Sequence, residues 1–392
     1  MAEIIDQIVK ISIQDAISSV TTVDVNTVAL VGLATESSPV AGEFASVADA
    51  VTAYGENSEL AAMVKAFFAQ DSQPSRVVCI PAGNTGAATL AAVQAAAQNF
   101  NFYHVVMATW DEAVTATLLT GSNGWQEWLA DAKKVLHVQV KDPTTLKNHG
   151  GNRIAVYKHD EIKEITQTVT SGTTTTVTHP SSLPGGWTDG NLHTSTTSEG
   201  TTTTVDVSVE FLPVAIVALR CSSDSARGTF AHKKCNGVTP DSYTVGQYNA
   251  WIDGGINIYV KVSGEARLFM GTTADAESFI DQIVKDDCIR FNVQSRIYKL
   301  LGEGNNGNGI NYDDAGIAAV AASVLNVLTV AQDTDHQYVM ADSATVDYKP
   351  YSYLVANYAE DVRKRNLPLI SGRYARMNAI HTVVQVSLLV TL

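Results

Sequence analysis

Apolar and polar positions along the first third of the chain follow two alternating patterns. Short continuous apolar runs predict buried strands at residues 23–34, 76–80, 103–108 and 135–140. Between these runs, helical patterns begin after Ser46 and Ser58 and cover residues 87–98 and 125–133. Strands that alternate with helices in this way predict a largely parallel or mixed sheet that is covered by helices.

The pattern changes between residues 160 and 210, where threonine dominates. Threonine suits strands that are half exposed, and Ser171-Gly172 and Glu199-Gly200 supply turns. Valines alternate with polar residues over positions 205–209, which favours strands over the alternative interpretation, a flexible linker. This segment is therefore predicted to be an inserted antiparallel β module.

The rest of the chain returns to apolar strands and then becomes helical. The run PVAIVAL, which begins at Pro213, predicts a core strand, and residues 255–262 and 265–270 predict a hairpin. The pattern T-x-x-D at Thr272 resembles a capping box and predicts a helix over residues 274–301. A loop of glycine and asparagine follows, then a helix beginning near Asp313 and a short helix over residues 359–365.

Both ends of the chain carry strand periodicity outside this compact region. The apolar positions of these two segments are Val9, Ile11 and Ile13 near the start and Val384, Val386, Leu388, Val390 and Leu392 near the end. No strand nearby in the sequence is available to pair with either segment. Because an unpaired apolar strand invites aggregation, we expect each segment to be an arm that adds a strand to another chain.

Composition and charge narrow the functional classes. The chain has 392 residues, 45% of them hydrophobic and 17% charged, with a net charge of −14. A surface with few charges favours an oligomer, and the acidic balance argues against direct binding of nucleic acid. The four cysteines are far apart, so neither a disulfide framework nor a zinc site is expected. No signal peptide or membrane span is predicted, and we expect a cytoplasm-like setting.

Few residues suggest catalytic or ligand chemistry. Gly302, Gly304 and Gly307 match the letters of a dinucleotide fingerprint, but a helix precedes them where the fingerprint requires a strand. A loop between two helices is the favoured interpretation, and nucleotide binding by an α/β enzyme is the alternative. His336, beside Asp333 and Asp335, suggests either a metal site or a solvated loop, and the loop is favoured. We predict no catalytic residue, cofactor or metal.

One basic concentration stands out in this acidic chain. It consists of Arg363, Lys364, Arg365, Arg373 and Arg376. These cations either stabilise the C-terminal end of a short helix or contact an acidic face on a neighbouring subunit or partner. The sequence leaves both interpretations open.

Several segments in order resemble the sheath subunits of contractile phage tails. They are DQIVKISI, VADAVTAYGENSELAAMVKAFFAQ, SRVVCI, YDDAGIAAV and the long block GINIYVKVSGEARLFMGTTADAESFIDQIVKDDCIRFNVQSRIYKLL. The resemblance is to a myophage branch long catalogued as a domain of unknown function, and it covers most of the chain. The Thr-rich module is the part least like this family, whose members commonly carry inserted outer domains.

The pattern and the resemblance together predict a fold between α/β and α+β. Mixed sheets would be covered by helices, with the Thr-rich module inserted and β arms extended from both ends. Five parts are expected, and their residues are 1–20 for the first arm, 21–159 with 211–265 for an α/β domain, 160–210 for the outer module, 266–378 for a C-terminal core domain and 379–392 for the second arm.

The resemblance implies a structural role without enzymatic activity. Hexameric rings would stack helically around a tail tube protein, joined to baseplate and terminator proteins, with no membrane contact. Contraction of a metastable lattice would drive the tube through the host envelope without nucleotide. The protein would be assembled in the host cytoplasm and reside in the virion tail. The Arg363 cluster would contact the tube or a neighbour. The alternatives are another tail protein, such as a tube or terminator protein, and a receptor-binding surface protein.

Overall fold

The computed structural model describes residues 24–381 except for 35, 57, 84, 108–123, 148–150, 160–161, 172–192 and 199–200. Between residues 162 and 209 it describes the backbone alone. The first predicted arm lies outside the described residues, and so does the second apart from residues 379–381. The described chain forms two compact units, of which the first contains Asp24–Ser225 and Thr229–Ile283 and the second contains residues 226–228 and 284–381. The five-part division by role in assembly stays a prediction.

An eight-stranded mixed sheet organises the first unit. Its strands in chain order are β1 (Val28–Gly32), β2 (Gly42–Phe44), β3 (Val77–Pro81), β4 (His104–Met107), β5 (Val135–Val140), β6 (Ile154–Lys158), β10 (Ile256–Val262) and β11 (Glu265–Phe269). Their spatial order is β11-β10-β6-β5-β4-β1-β3-β2. The inner six strands run parallel, and the edge strands β2 and β11 pair antiparallel. The prediction of a mixed sheet covered by helices is confirmed.

Helices pack on both faces of this sheet because consecutive strand residues point to opposite sides. One face packs against α3 (Gly86–Ala96), α4 (Trp125–Ala132) and α6 (Val245–Ile252) through a continuous apolar core. The other face packs against α2 (Glu59–Phe68) and α5 (Leu212–Cys221), while α1 (Val47–Tyr54) packs beside α2. Serine residues cap the N-terminal ends of α1 and α2. The side chains of Ser46 and Ser58 accept hydrogen bonds from backbone amides in the first turns of these helices.

Two sequence predictions are wrong in detail. The run PVAIVAL forms helix α5, not a strand, and every residue of α5 except Leu219 is buried. A helix buried on all sides has no polar face, so its sequence cannot be distinguished from a buried strand. The long helix, α7, spans Ile280–Glu303, so it begins six residues later than predicted. The Asp275 carboxylate instead accepts hydrogen bonds from the Glu277 and Ser278 backbones in a turn before the helix.

The Thr-rich segment forms a separate antiparallel sheet, as predicted. Its strands are β7 (Ile162–Ser171), β8 (His193–Ser198) and β9 (Thr201–Val209), in the order β7-β9-β8. β8 and β9 are consecutive and pair antiparallel from Ser198↔Thr201 outward, and the predicted turn at Glu199-Gly200 lies outside the described residues.

The second unit contains most of α7 and all of α8 (Asp314–Val330), α9 (Tyr351–Asn357) and α10 (Ala359–Arg363). A small sheet of β12 (Thr345–Asp347) and β13 (Ser371–Arg373) completes it. The Asp313 side chain caps α8 by accepting a hydrogen bond from the Gly316 backbone at 2.8 Å. Among the described helices of both units, none combines the length and apolar character that a membrane span requires.

Candidate interaction surfaces

An exposed antiparallel ribbon forms part of the surface of the second unit. We use the name ribbon for residues 338–347 and 371–377. Val346 pairs with Gly372 in the β12–β13 sheet, and further along the Met340 and Met377 amides donate to the Ala375 and Tyr338 carbonyls at 2.8 and 2.9 Å. Five of the six residues in the two strands are exposed. An isolated two-stranded sheet is marginally stable in water, so added strands would stabilise it.

Helix α8 holds the ribbon in place. A side chain at Gly372 would meet the tips of Val324 and Leu328 at 3.4 Å, so the β13 backbone lies directly on the apolar side of α8. The large sheet of the first unit differs at its β11 edge. There Leu268 exchanges backbone hydrogen bonds with His232 and Lys233, which cover that edge. The ribbon, in contrast, has two strands and therefore two outer edges.

The predicted basic cluster divides between two places in the second unit. Arg363 and Lys364, at the end of α10, both pair with Glu360, with nitrogen–oxygen distances of 2.6 and 3.3 Å. Their position at a helix C-terminus matches the first of the two interpretations. Arg365 follows α10 in a left-handed backbone conformation with φ of 61°.

The other two cations belong to the ribbon. Arg373 lies 4.0 Å from Asp347 across the small sheet, and Arg376 pairs with Asp286 of α7. The Tyr374 hydroxyl donates to the same Asp286 carboxylate at 2.9 Å. All these side chains stay partly exposed, and exposed ion pairs contribute at most about 1 kcal/mol each. The second interpretation, a contact with a partner, stays a prediction.

Exposed aromatic residues beside the ribbon were missed by the sequence analysis. Tyr348, Tyr351 and Tyr353, on and before α9, are each between 37% and 45% exposed, and the neighbouring Val355 is 43% exposed. Tyrosine is enriched in protein interfaces because one side chain offers both apolar area and a hydroxyl. The short spacing of these tyrosines in the sequence was the available signal.

The glycine loop after α7 has the geometry of a helix connection. Gly304 is close-packed, since an added Cβ would lie 2.4 Å from the Ile310 side chain and 2.5 Å from the Leu300 carbonyl. The following helix, α8, already has the Asp313 carboxylate on its N-terminal amides. A carboxylate at that place repels a pyrophosphate, so the structure favours the loop over the nucleotide site.

His336 forms part of a turn. Its Nδ1 lies 2.8 Å from Asp333, whose carboxylate also accepts the backbone amides of Asp335 and His336. In the part of the chain that the structure describes, no three His, Cys, Asp or Glu side chains are grouped closely enough to hold a metal ion.

A buried polar chain crosses the sheet face that α5 covers. His104 Nδ1 lies 2.9 Å from His137 Nε2, and His137 Nδ1 lies 3.0 Å from the Tyr157 hydroxyl. All three side chains are fully buried, with Phe230 stacked on His137. Burial, followed by the Arg220 charge, lowers the pKa of His104 to about 3, and burial also lowers the pKa of His137. No substrate can reach these groups, so we assign them to the core.

A second buried cluster lies where the two ends of the Thr-rich module join the rest of the first unit. His159, just before the module, has Nε2 2.9 Å from the carboxylate of Glu210, which follows it, and Nδ1 3.2 Å from Asp241. Glu210 also accepts hydrogen bonds from the amide and hydroxyl of Thr239 at 2.7 and 2.6 Å. Although burial acts against it, the bonds from His159 and Thr239 lower the pKa of Glu210.

Replacing residues 160–209 with a short Gly-Ser linker is expected to leave the first unit folded. The side chains of His159 and Glu210 meet at 2.9 Å, so a few residues can join the two ends. We expect the thermal midpoint by circular dichroism to change by only a few degrees. His159→Ala in the full chain is the control, because it leaves Glu210 buried without its partner and should cost about 3–5 kcal/mol. An excised chain that fails to fold would contradict the expectation.

Comparison with solved structures places the whole chain in one fold. A chain in the baseplate of the anti-feeding prophage (AFP) matches with a TM-score of 0.61 and 13% identity, covering 97% of this chain and 98% of that one. A chain of the AFP helical sheath in its contracted state matches with a TM-score of 0.59 and 10% identity, covering 96% and 99%. This chain has the fold of a contractile sheath protein.

The sheath fold confirms the resemblance at the level of architecture. The matches cover nearly the full length of this chain and of each matched chain, so the fold includes both compact units. The matched chains belong to the baseplate and the helical sheath of the anti-feeding prophage. No protein-family model matches the sequence, and no curated protein matches it.

Proposed function

We propose that this chain is the structural subunit of a contractile tail sheath. Copies would polymerise as stacked hexameric rings around an inner tube, and shortening of the lattice would drive the tube through an envelope. The full-length match to the helical sheath of the anti-feeding prophage carries this proposal. Baseplate, terminator and tube proteins would be the partners, and the tail would be the place of residence.

The ribbon would be the acceptor for the arms of neighbouring copies. The arm segments at residues 9–13 and 384–392 have apolar residues at every second position, as a strand that covers one face of a sheet requires. The ribbon has two strands, exposed positions and two outer edges. Strand addition forms backbone hydrogen bonds that persist while the compact units move as near-rigid bodies, so the lattice stays connected as it shortens.

Electron microscopy of the purified chain tests the proposal directly. Striated hollow cylinders are the expected result, and the six-fold symmetry of end views would support hexameric rings. Calorimetric titration with nucleotides is the parallel measurement for the α/β enzyme, and no heat of binding is expected. A chain that stays monomeric at all concentrations, or that binds nucleotide at the Gly302–Gly307 loop, would contradict the proposal.

A further inference from the structure

A polar groove of about 340 Å³ lies between α7 and α8 in the second unit. Asn292, Arg296 and Lys299 of α7 line one side, and Asn326 of α8 lines the other. The three α7 positions are three or four residues apart and therefore share one face of the helix. Val327 and Tyr338 add apolar surface to the lining. We use the name groove for this site.

The groove is positively charged in a chain whose net charge is −14. Arg296 forms no ion pair with any residue in the described part of the chain. Lys299 lies 3.8 Å from Glu303, but both side chains are more than 60% exposed, so this pair is weak and a competing carboxylate can replace it. Among the described residues that line the groove none is acidic, and the lining residue His336 pairs with Asp333 at 2.8 Å. It therefore presents two cations and the side-chain amides of Asn292 and Asn326 beside apolar surface.

The groove is continuous with the ribbon. Tyr338 lines the groove, and its carbonyl accepts the Met377 amide at 2.9 Å in the ribbon. At this end the Tyr338 and Val339 amides already donate to the Ala331 carbonyl, so a strand paired further along the ribbon leaves it before Val339 and can continue into the groove. Eight extended residues span about 26 Å.

We propose that the groove binds residues 1–8 of a second copy of this chain. The segment MAEIIDQI combines carboxylates at Glu3 and Asp6 with isoleucines, which matches the charge and the apolar surface of the groove. It directly precedes the predicted strand of residues 9–13. The inference rests on the proposed function, since it extends the strand addition at the ribbon by an electrostatic contact that fixes which end of the ribbon the arm approaches.

Charge reversal on each side of the contact provides the test. The groove variant is Arg296→Glu with Lys299→Glu, and the segment variant is Glu3→Lys with Asp6→Lys. Each alone places like charges in contact, so we expect the concentration at which cylinders form to rise about tenfold or more. An equimolar mixture of the two variants should restore assembly, because each groove then meets a segment of opposite charge. Circular dichroism checks that both variants fold.

A matched control carries the same charge change in the first unit. Lys65→Glu with Lys261→Glu alters two exposed lysines on α2 and β10, and assembly should change less than twofold. Normal assembly of the groove variant would overturn the inference and leave the proposed function intact. The inference would also be overturned if assembly were restored only when one chain carries all four substitutions, because the contact would then lie within a single copy. Loss without any rescue would exclude residues 1–8 as the occupant, and absence of cylinders from the unaltered chain would overturn both proposals.

Discussion

Deleting residues 382–392 will abolish cylinder formation and leave a folded monomer. The deletion removes five aliphatic residues that alternate along the predicted second arm, and burying one such side chain contributes about 1.5–3 kcal/mol. The backbone hydrogen bonds of an added strand are lost with them. Electron microscopy and sedimentation should show no polymer at concentrations where the full chain assembles. Near-ultraviolet circular dichroism should show unchanged packing.

Substitutions on the two faces of the arm sharpen this test. Val386→Lys with Leu388→Lys places charges on the apolar face and should prevent assembly as the deletion does. Gln385→Lys with Ser387→Lys adds the same charge to the opposite face and should be tolerated. Equal effects of the two pairs would contradict a strand with one buried face. Normal cylinders from the truncated chain would contradict the arm altogether.

Acidification from pH 6.5 to pH 5 is expected to remove a large part of the contribution that His104 and His137 make to the free energy of unfolding. The folded chain keeps both rings neutral because burial lowers their pKa values, to about 3 for His104. The unfolded chain binds a proton at each ring below about pH 6.5. The stabilising contribution is complete well above that pH. It falls with a slope that approaches about 1.4 kcal/mol per ring and pH unit, or about 3 kcal/mol for the two rings over the interval.

Glu59 changes the stability of the fold in the opposite direction over the same pH interval. Its side chain is 2% exposed, and burial raises its pKa to about 8, although a hydrogen bond from the Leu33 amide favours the ionised form. Between about pH 4.5 and pH 8 the folded chain therefore holds a proton that the unfolded chain has lost, so stability rises as the pH falls. The unaltered chain should show a net slope of about one proton, and Glu59→Gln should show about two.

Urea titration followed by tryptophan fluorescence measures these slopes. Of the five tryptophans, Trp125, Trp128 and Trp251 lie in the described part of the first unit, as do the titrating groups. Replacing both histidines with glutamine should reverse the slope of the unaltered chain. Equal slopes for Glu59→Gln and the unaltered chain would contradict the assignment of a buried neutral carboxyl. Limiting the range to pH 5 and above keeps Glu210 ionised, because its pKa is lowered.

The sequence predicted the elements whose signals are local. The inner strands were visible as apolar runs, and α1, α2 and α8 begin at the residues that cap them, Ser46, Ser58 and Asp313. The hairpin of β10 and β11 followed from the Ser263-Gly264 turn. Helix α5 could not be predicted because its helical character depends on burial by surrounding elements, which no local pattern records.

The candidate surfaces were harder to predict than the fold. β12 and β13 contain three residues each and are exposed, so they show neither an apolar run nor a complete alternation. Their partners are separated by more than twenty residues in the sequence, and the groove joins α7 to residues beyond α8. Such convergence depends on how the helices pack. The basic residues themselves were visible in the sequence. Their pairing with three separate carboxylates, Glu360, Asp347 and Asp286, was not.

The contact between His159 and Glu210 has a practical consequence for engineering. Both ends of the Thr-rich module are fixed within a hydrogen-bonded cluster, and Gln139 anchors the Glu210 carbonyl and the Leu212 amide at 2.9 and 2.8 Å. A foreign domain whose termini lie close together is therefore a candidate for grafting between these two residues. A sheath built from such fusions would display one copy of a reporter, enzyme or antigen per subunit at a regular spacing.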